Sequence, residues 1–234
     1  MNVADAVAGD LRAERQEFRT QLPGYTRGEE IANMVTHIIG GVFALAAIPL
    51  LVVTAALHGN PWAVVSGSVY GAALLIMFTV SSIYHGLKPG RAKRVMRVID
   101  HCDIYFLIAG TYTPILLAGI RPINPAMAWT LFGVEWALAA VAVTLNAVDL
   151  KRFEKISMVC YIGMGWGVIV MIEPTIQAMT VSGFALLLTG GIAYTVGAVL
   201  YGVGKRVRYI HSVFHVFVLI GSVLHFLAIL LYIM

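Results

Sequence analysis

Three histidines on two separated segments have the type and spacing that bind a metal: His85 in Ser81-Ser-Ile-Tyr-His85, and the pair in His211-Ser-Val-Phe-His215. An i, i+4 pair on a helix puts both imidazoles on one face, within reach of a single ion. Alone, that spacing serves a packed polar pair equally well. A third histidine at matching depth favours the metal, because three neutral imidazoles with one open position are the ligand set of catalytic zinc. Zinc held that way lowers the pKa of its water to about 7, making hydroxide available at neutral pH. Asp100 is placed to accept a proton from such a water or to orient it. Asp103 shares its helical face and His101 is adjacent, so periodicity does not choose among the three. Ser81, one turn deeper than His85, has three open roles: bonding a substrate carbonyl, supporting the ligands, or bonding its own helix backbone.

A second polar group occupies another segment. Glu30, Asn33 and His37 fall at i, i+3 and i+7, on one helical face. They either line the cavity or hydrogen-bond neighbouring helices, and the second role is expected first. His225 stands ten residues past His215, about 15 Å along the same helix, too far to share its ion. Glu135 is the deepest carboxylate; it is either protonated and bonded to a neighbour or a proton carrier.

These residues need helices to position them, and the composition says which kind. Of 234 residues, 59% are hydrophobic and only 12% charged, with mean hydropathy +0.85. A soluble domain carries about twice that share of charge. A spanning helix takes about 20 mainly apolar residues, and seven such runs are read at 31–57, 62–87, 98–119, 125–147, 156–172, 183–202 and 209–233, the fifth being the shortest. The expected fold is all-α, a seven-transmembrane helix bundle with an intramembrane zinc site. The expected organisation is a cytoplasmic N-terminal segment (1–30) ahead of one transmembrane domain (31–234).

The net charge of +4 is arranged by topology. Every basic residue except Arg121 falls on one side of a seven-span layout: Arg12 to Arg27 at the start, Lys88 to Arg97, Lys151 to Lys155, and Lys205 to Arg208. By the positive-inside rule the N-terminus is cytoplasmic and the C-terminus outside. His85, Asp100, His211 and His215 then all fall near the cytoplasmic face, an agreement no single motif required. Residues 1–30 show no leader-like apolar stretch and read as an amphipathic surface helix or as disorder. Cys102 and Cys160, near cytoplasmic ends of spans, are expected to be free thiols. Gly67-Ser-Val-Tyr-Gly71 and Gly163-Met-Gly-Trp-Gly167 match the small-xxx-small pattern of close helix packing. The His-Glu-x-x-His protease motif, a phosphate-binding Gly-rich loop and a Gly-x-Ser-x-Gly elbow are all missing. The basic residues follow topology, so nucleic acid is not an expected partner; membrane lipids are, and any protein partner is left open.

Glu30-x-x-Asn33-x-x-x-His37, Ser81-x-x-x-His85, Asp100-His-x-x-Ile-Tyr-Phe-Leu-Ile-Ala-Gly-Thr-Tyr-Thr-Pro114 and His211-x-x-x-His215 together resemble the hemolysin III proteins, the bacterial branch of the progestin and adiponectin Q receptor family. The resemblance runs from Glu29 nearly to the end of the chain without departing from the motifs. It implies seven transmembrane helices in a bacterial inner membrane and a zinc ion near the cytoplasmic side. It also implies His85, His211 and His215 as ligands, with Asp100, rather than Asp103, holding the water on the metal. The wider superfamily includes alkaline ceramidases, so hydrolysis of lipid amides is an implied chemistry.

Three functions are expected in descending order. The first is a zinc-dependent hydrolase of lipid amides or esters, with Asp100 as general base and Ser81 as a supporting donor. The second is a non-enzymatic regulator or sensor of membrane homeostasis with structural zinc. The third, a pore-forming cytolysin, is disfavoured because no span shows a continuous polar stripe to line a conducting path.

Overall fold

The structure, a computed structural model, describes residues 22–203 and 207–234. The reading of residues 1–21 as surface helix or disorder therefore lies outside the described residues, as do Lys205 and Arg206.

Every element among the described residues is helical: α1 (Arg27–Leu57), α2 (Pro61–Gly86), α3 (Arg91–Pro114) continued by a π-helical turn Ile115–Ile120, α4 (Pro125–Gly165), a 3-10 turn Gly167–Met171, α5 (Ile172–Val203) and α6 (Ile210–Tyr232). Taken as unbroken helical stretches, five are long and apolar enough to cross a membrane, the longest running Pro125–Gly202. Large apolar side chains such as Ile39, Val42, Leu45, Val141 and Val199 face outward. Buried Asn33, His37, His85, Lys93 and His215 face inward. This inverts the usual soluble pattern and suits a bundle whose solvent is hydrocarbon.

Local signals set the helix starts. Thr26 and Glu29 form a reciprocal capping box at α1. Asn60 caps α2, accepting from Trp62 N at 3.1 Å and Ala63 N at 3.2 Å, with Pro61 at the first helical position. Asn124 and Pro125 repeat the device at α4. In the bundle α1 packs on α2 and α6, α3 on α2 and α4, and α5 on α6.

The expected loops on either side of the fifth run are not there. Lys151, Arg152, Lys155 and most of 173–182 are helical, and the interruptions shrink to single residues, Asp149 (φ −158°, ψ 93°) and Thr180 (φ 63°, ψ 171°). Asp149 restarts the helix as its own cap, its Oδ1 accepting from Arg152 N at 3.0 Å. The chain folds back there. Ser157 Oγ donates to Asn146 Oδ1 across 2.6 Å, whereas residues eleven apart on a straight helix lie about 16 Å apart. Capping makes so short a reversal possible, because the helix ends find their partners without a loop.

Of the two small-residue patterns, Gly67 and Gly71 pack as expected, Gly67 beneath Leu51 and Gly71 against Ile48 of α1. The second pattern is not a packing seam. Gly163 faces open space, and only Gly167 is closely approached, by the Glu135 carboxylate and the Tyr112 ring. Tyr112 is there because the helix unwinds: its hydroxyl donates to Gly165 O at 2.9 Å and accepts from Val168 N at 2.8 Å. Cys102 and Cys160 are both free thiols.

Candidate metal centre

The ligand-type atoms of His85, His211 and His215 all lie within 4.8 Å of one another, and all three residues are buried. His85 comes from the last turn of α2, and the other two from the first turns of α6. His211 Nε2 and His215 Nε2 face each other at 3.1 Å. Two imidazole nitrogens on one tetrahedral zinc, each bonded at about 2.0–2.1 Å, stand about 3.3 Å apart, so the pair is already near the spacing that ion requires.

Two of the three rings, His85 and His215, are aimed by their other nitrogen. His85 Nδ1 donates to Glu30 Oε2 at 2.7 Å, so that in the neutral ring the lone pair is on Nε2. That Nε2 is buried with no hydrogen-bond partner, an orphan whose burial is costly unless something fills the place. His215 Nδ1 donates to the Asn33 carbonyl at 3.2 Å, with Thr36 Oγ1 at 3.3 Å, again freeing Nε2. This is the carboxylate– or carbonyl–histidine arrangement that fixes orientation around a metal and raises ligand basicity. The donor set fits zinc.

α1 supplies no ligand yet holds all of this together. Glu30 reaches α2 through His85, and Asn33 reaches α6 by accepting from Ser212 Oγ at 2.5 Å. Glu29 joins the two helix starts, accepting from Tyr209 N at 3.0 Å while its other oxygen accepts from Thr26 N at 2.8 Å. The tie needs Tyr209 in the left-handed region at φ 61°. His37 stacks on His215 with ring centroids 3.7 Å apart and presses edge-on against Phe78; neither of its ring nitrogens has a partner.

A cavity of about 1090 Å³ opens beside the cluster. His37, Ser81, Asp100, His101, His211, His215 and, at its far end, His225 line it, and Leu107, Ile115, Val168 and Leu187 give it apolar walls. Asp100 faces this space beside His101, whose Nδ1 lies 3.7 Å from its Oδ2, but Asp100 does not join the three-histidine group. Asp103 is buried with both carboxylate oxygens unpartnered and is not among the cavity-lining residues. His101 is committed elsewhere, to Arg97 O at 2.8 Å and Tyr201 Oη at 3.1 Å. His225 donates from Nε2 to Leu187 O at 3.0 Å, apart from the cluster. Glu135 is buried on α4 with Oε2 unpartnered.

Two residues of the centre escape a reading by motif. Tyr25 stacks on His211 at 5.0 Å and lines the cavity beside it; burial raises its phenol well above the usual range. Lys93, counted among the basic residues of a cytoplasmic loop, is instead buried on α3 with its ammonium 2.7 Å from Glu30 Oε1.

Comparison with known proteins places the chain in a family. A family described as "Haemolysin-III related" matches residues 25–226. The chain is 39% identical over 206 residues to "Hemolysin-3" of Bacillus cereus, covering 88% of this chain and 92% of that protein. It is 36% identical over 208 residues to "Hemolysin-3 homolog" of Bacillus subtilis (strain 168), covering 89% and 96%. It is 26% identical over 210 residues to human "Monocyte to macrophage differentiation factor", covering 86% and 83%. On the strength of the matched family and the two Bacillus relatives, the chain belongs to the haemolysin III family of multi-pass membrane proteins.

Proposed function

We propose that this protein is a zinc-dependent hydrolase of lipid amide or ester bonds, with seven spans in a bacterial inner membrane. The observation that carries the reading is three buried histidines meeting beside a large, mostly apolar cavity. The interruptions at Asp149 and Thr180 support seven spans, since they divide the longest helical stretch into three. The basic residues at the His85 and His211 end support a cytoplasmic N-terminus and an outward C-terminus.

His85, His211 and His215 would hold the ion, with Glu30 and Asn33 fixing the rings. Bound zinc supplies Lewis acidity and a water that ionises near neutral pH. Asp100 takes the proton of the attacking water and returns it to the leaving amine or alcohol. Ser81 donates a hydrogen bond to the scissile carbonyl oxygen. The apolar walls hold the acyl chain and exclude bulk water. Purified protein is expected to contain close to one zinc per chain and to release fatty acid from a panel of ceramide-like lipids and phospholipids. His211→Ala abolishes both; turnover surviving that change rules the mechanism out.

A second reading, a regulator with structural zinc, is favoured by one observation: His85 Nε2 is sealed from solvent and Tyr25 covers His211. On that reading chelation lowers thermal stability while no lipid is turned over.

A further inference from the structure

The ammonium of Lys93 is only 2.7 Å from Glu30 Oε1. It also donates to Leu87 O at 3.1 Å and His85 O at 3.5 Å, and sits 5.0 Å from the Tyr84 ring centroid. One buried cation on α3 thus reaches the carboxylate of α1 and the last carbonyls of α2, the turn that carries His85. All three of its protons are used. A buried ion pair is weak evidence for stability, since well-packed apolar side chains commonly do as well. What this one does well is hold a geometry. Glu30 carries Lys93 on one oxygen and His85 Nδ1 on the other. The ammonium at the α2 C-terminus also meets the negative end of the helix dipole and fixes the backbone from which His85 projects.

We infer that Lys93 is a positioning residue for metal binding: through Glu30 and the His85 and Leu87 carbonyls it locks the His85 ring with Nε2 turned toward His211 and His215. The inference rests on the metal-site reading above. It concerns affinity for the ion and is independent of any substrate. Without Lys93, Glu30 loses the ammonium on Oε1 and with it a contact that holds its carboxylate against His85.

The test uses the full chain in detergent, with zinc and cobalt(II) as probes. Zinc retention is measured against a competing chelator in the wild type, Lys93→Met and Lys88→Met. Lys88 is an exposed lysine of the same stretch and serves as the control. Lys93→Met is expected to weaken retention roughly 10–100-fold, the usual effect of losing an outer partner of a metal ligand. Its cobalt absorption should lose intensity or shift from the wild-type tetrahedral pattern, while Lys88→Met stays within twofold. Retention in Lys93→Met within twofold of wild type, with an unchanged cobalt spectrum, overturns the inference. Should Lys93→Met not accumulate folded, Lys93→Gln, which keeps donors for the carbonyls but no charge, is held to the same two outcomes. A wild type that takes up neither metal overturns the metal-site reading itself, a distinct failure visible before any variant is compared.

Discussion

The Ser212 hydroxyl donates to Asn33 Oδ1 across 2.5 Å, in a buried contact between α1 and the helix that carries His211 and His215. The neighbouring backbone does the same work, since the Asn33 carbonyl receives His215 Nδ1. One residue of α1 therefore sets both the height and the rotation of α6 at the ligand turn.

Asn33→Leu removes the side-chain half of that tie and leaves the Ser212 hydroxyl unpaired. A cost of about 1–3 kcal/mol follows from stranding a buried polar group. Thermal unfolding of the metal-free protein should register that loss, and zinc retention should fall with it. Asn33→Leu combined with Ser212→Ala, which removes both partners, should recover part of the stability.

Glu29→Ala removes the acceptor for Tyr209 N and half of the α1 capping box. About 1–2 kcal/mol is expected from the cap alone. Because Tyr209 stands two residues before His211, the change should also speed metal loss. Equal unfolding temperatures for Glu29→Ala and wild type, each stripped of metal, would count against this account.

A Cβ at Gly40 would run into the Phe78 ring, whereas one at Gly41 would meet nothing nearer than 4.0 Å. Phe78 is fully buried and leans on His37, which stacks on His215. Gly40→Ala should therefore cost about 1–3 kcal/mol through overpacking and disturb the cluster, with Gly41→Ala close to neutral. Unfolding of the two variants side by side decides it.

Metal removal and acid should act in the same direction. A ligand that binds only the folded chain stabilises it by roughly 4 kcal/mol at a thousand times its Kd, so a chelator should lower the unfolding temperature. Ligand nitrogens must be unprotonated to bind, so affinity drops as pH falls and the gap between metal-loaded and chelated protein closes. A gap that widens on acidification would contradict histidine ligation.

The apolar runs at 31–57, 62–87 and 209–233 foreshadow α1 (Arg27–Leu57), α2 (Pro61–Gly86) and α6 (Ile210–Tyr232) to within a few residues, because bilayer thickness and backbone hydrogen bonding leave little freedom. The run at 156–172 is misjudged because charged Lys151, Arg152 and Lys155 look like a loop. They are helical, and only the cap at Asp149 marks the turn. His85, His211 and His215 are legible through spacing and depth together: His85 and His211 each stand three residues from a basic end, Lys88 and Arg208, with His215 one turn deeper. Which helix touches which carries no such mark. Tyr25 over His211 and Lys93 under Glu30 are products of packing, and a lysine meant for water looks the same in sequence as one meant for a carboxylate.

Because α2 and α6 each bring part of the cluster, with α3, α4 and α5 between them in the chain, the socket is finished only when the last helix is in place. During synthesis, Glu30, His85 and Lys93 of the first three helices can already pair with one another, whereas His85 meets His211 and His215 only when the last helix arrives. On the proposed metal reading, ion capture would report completed assembly, because two of the three histidines arrive with α6.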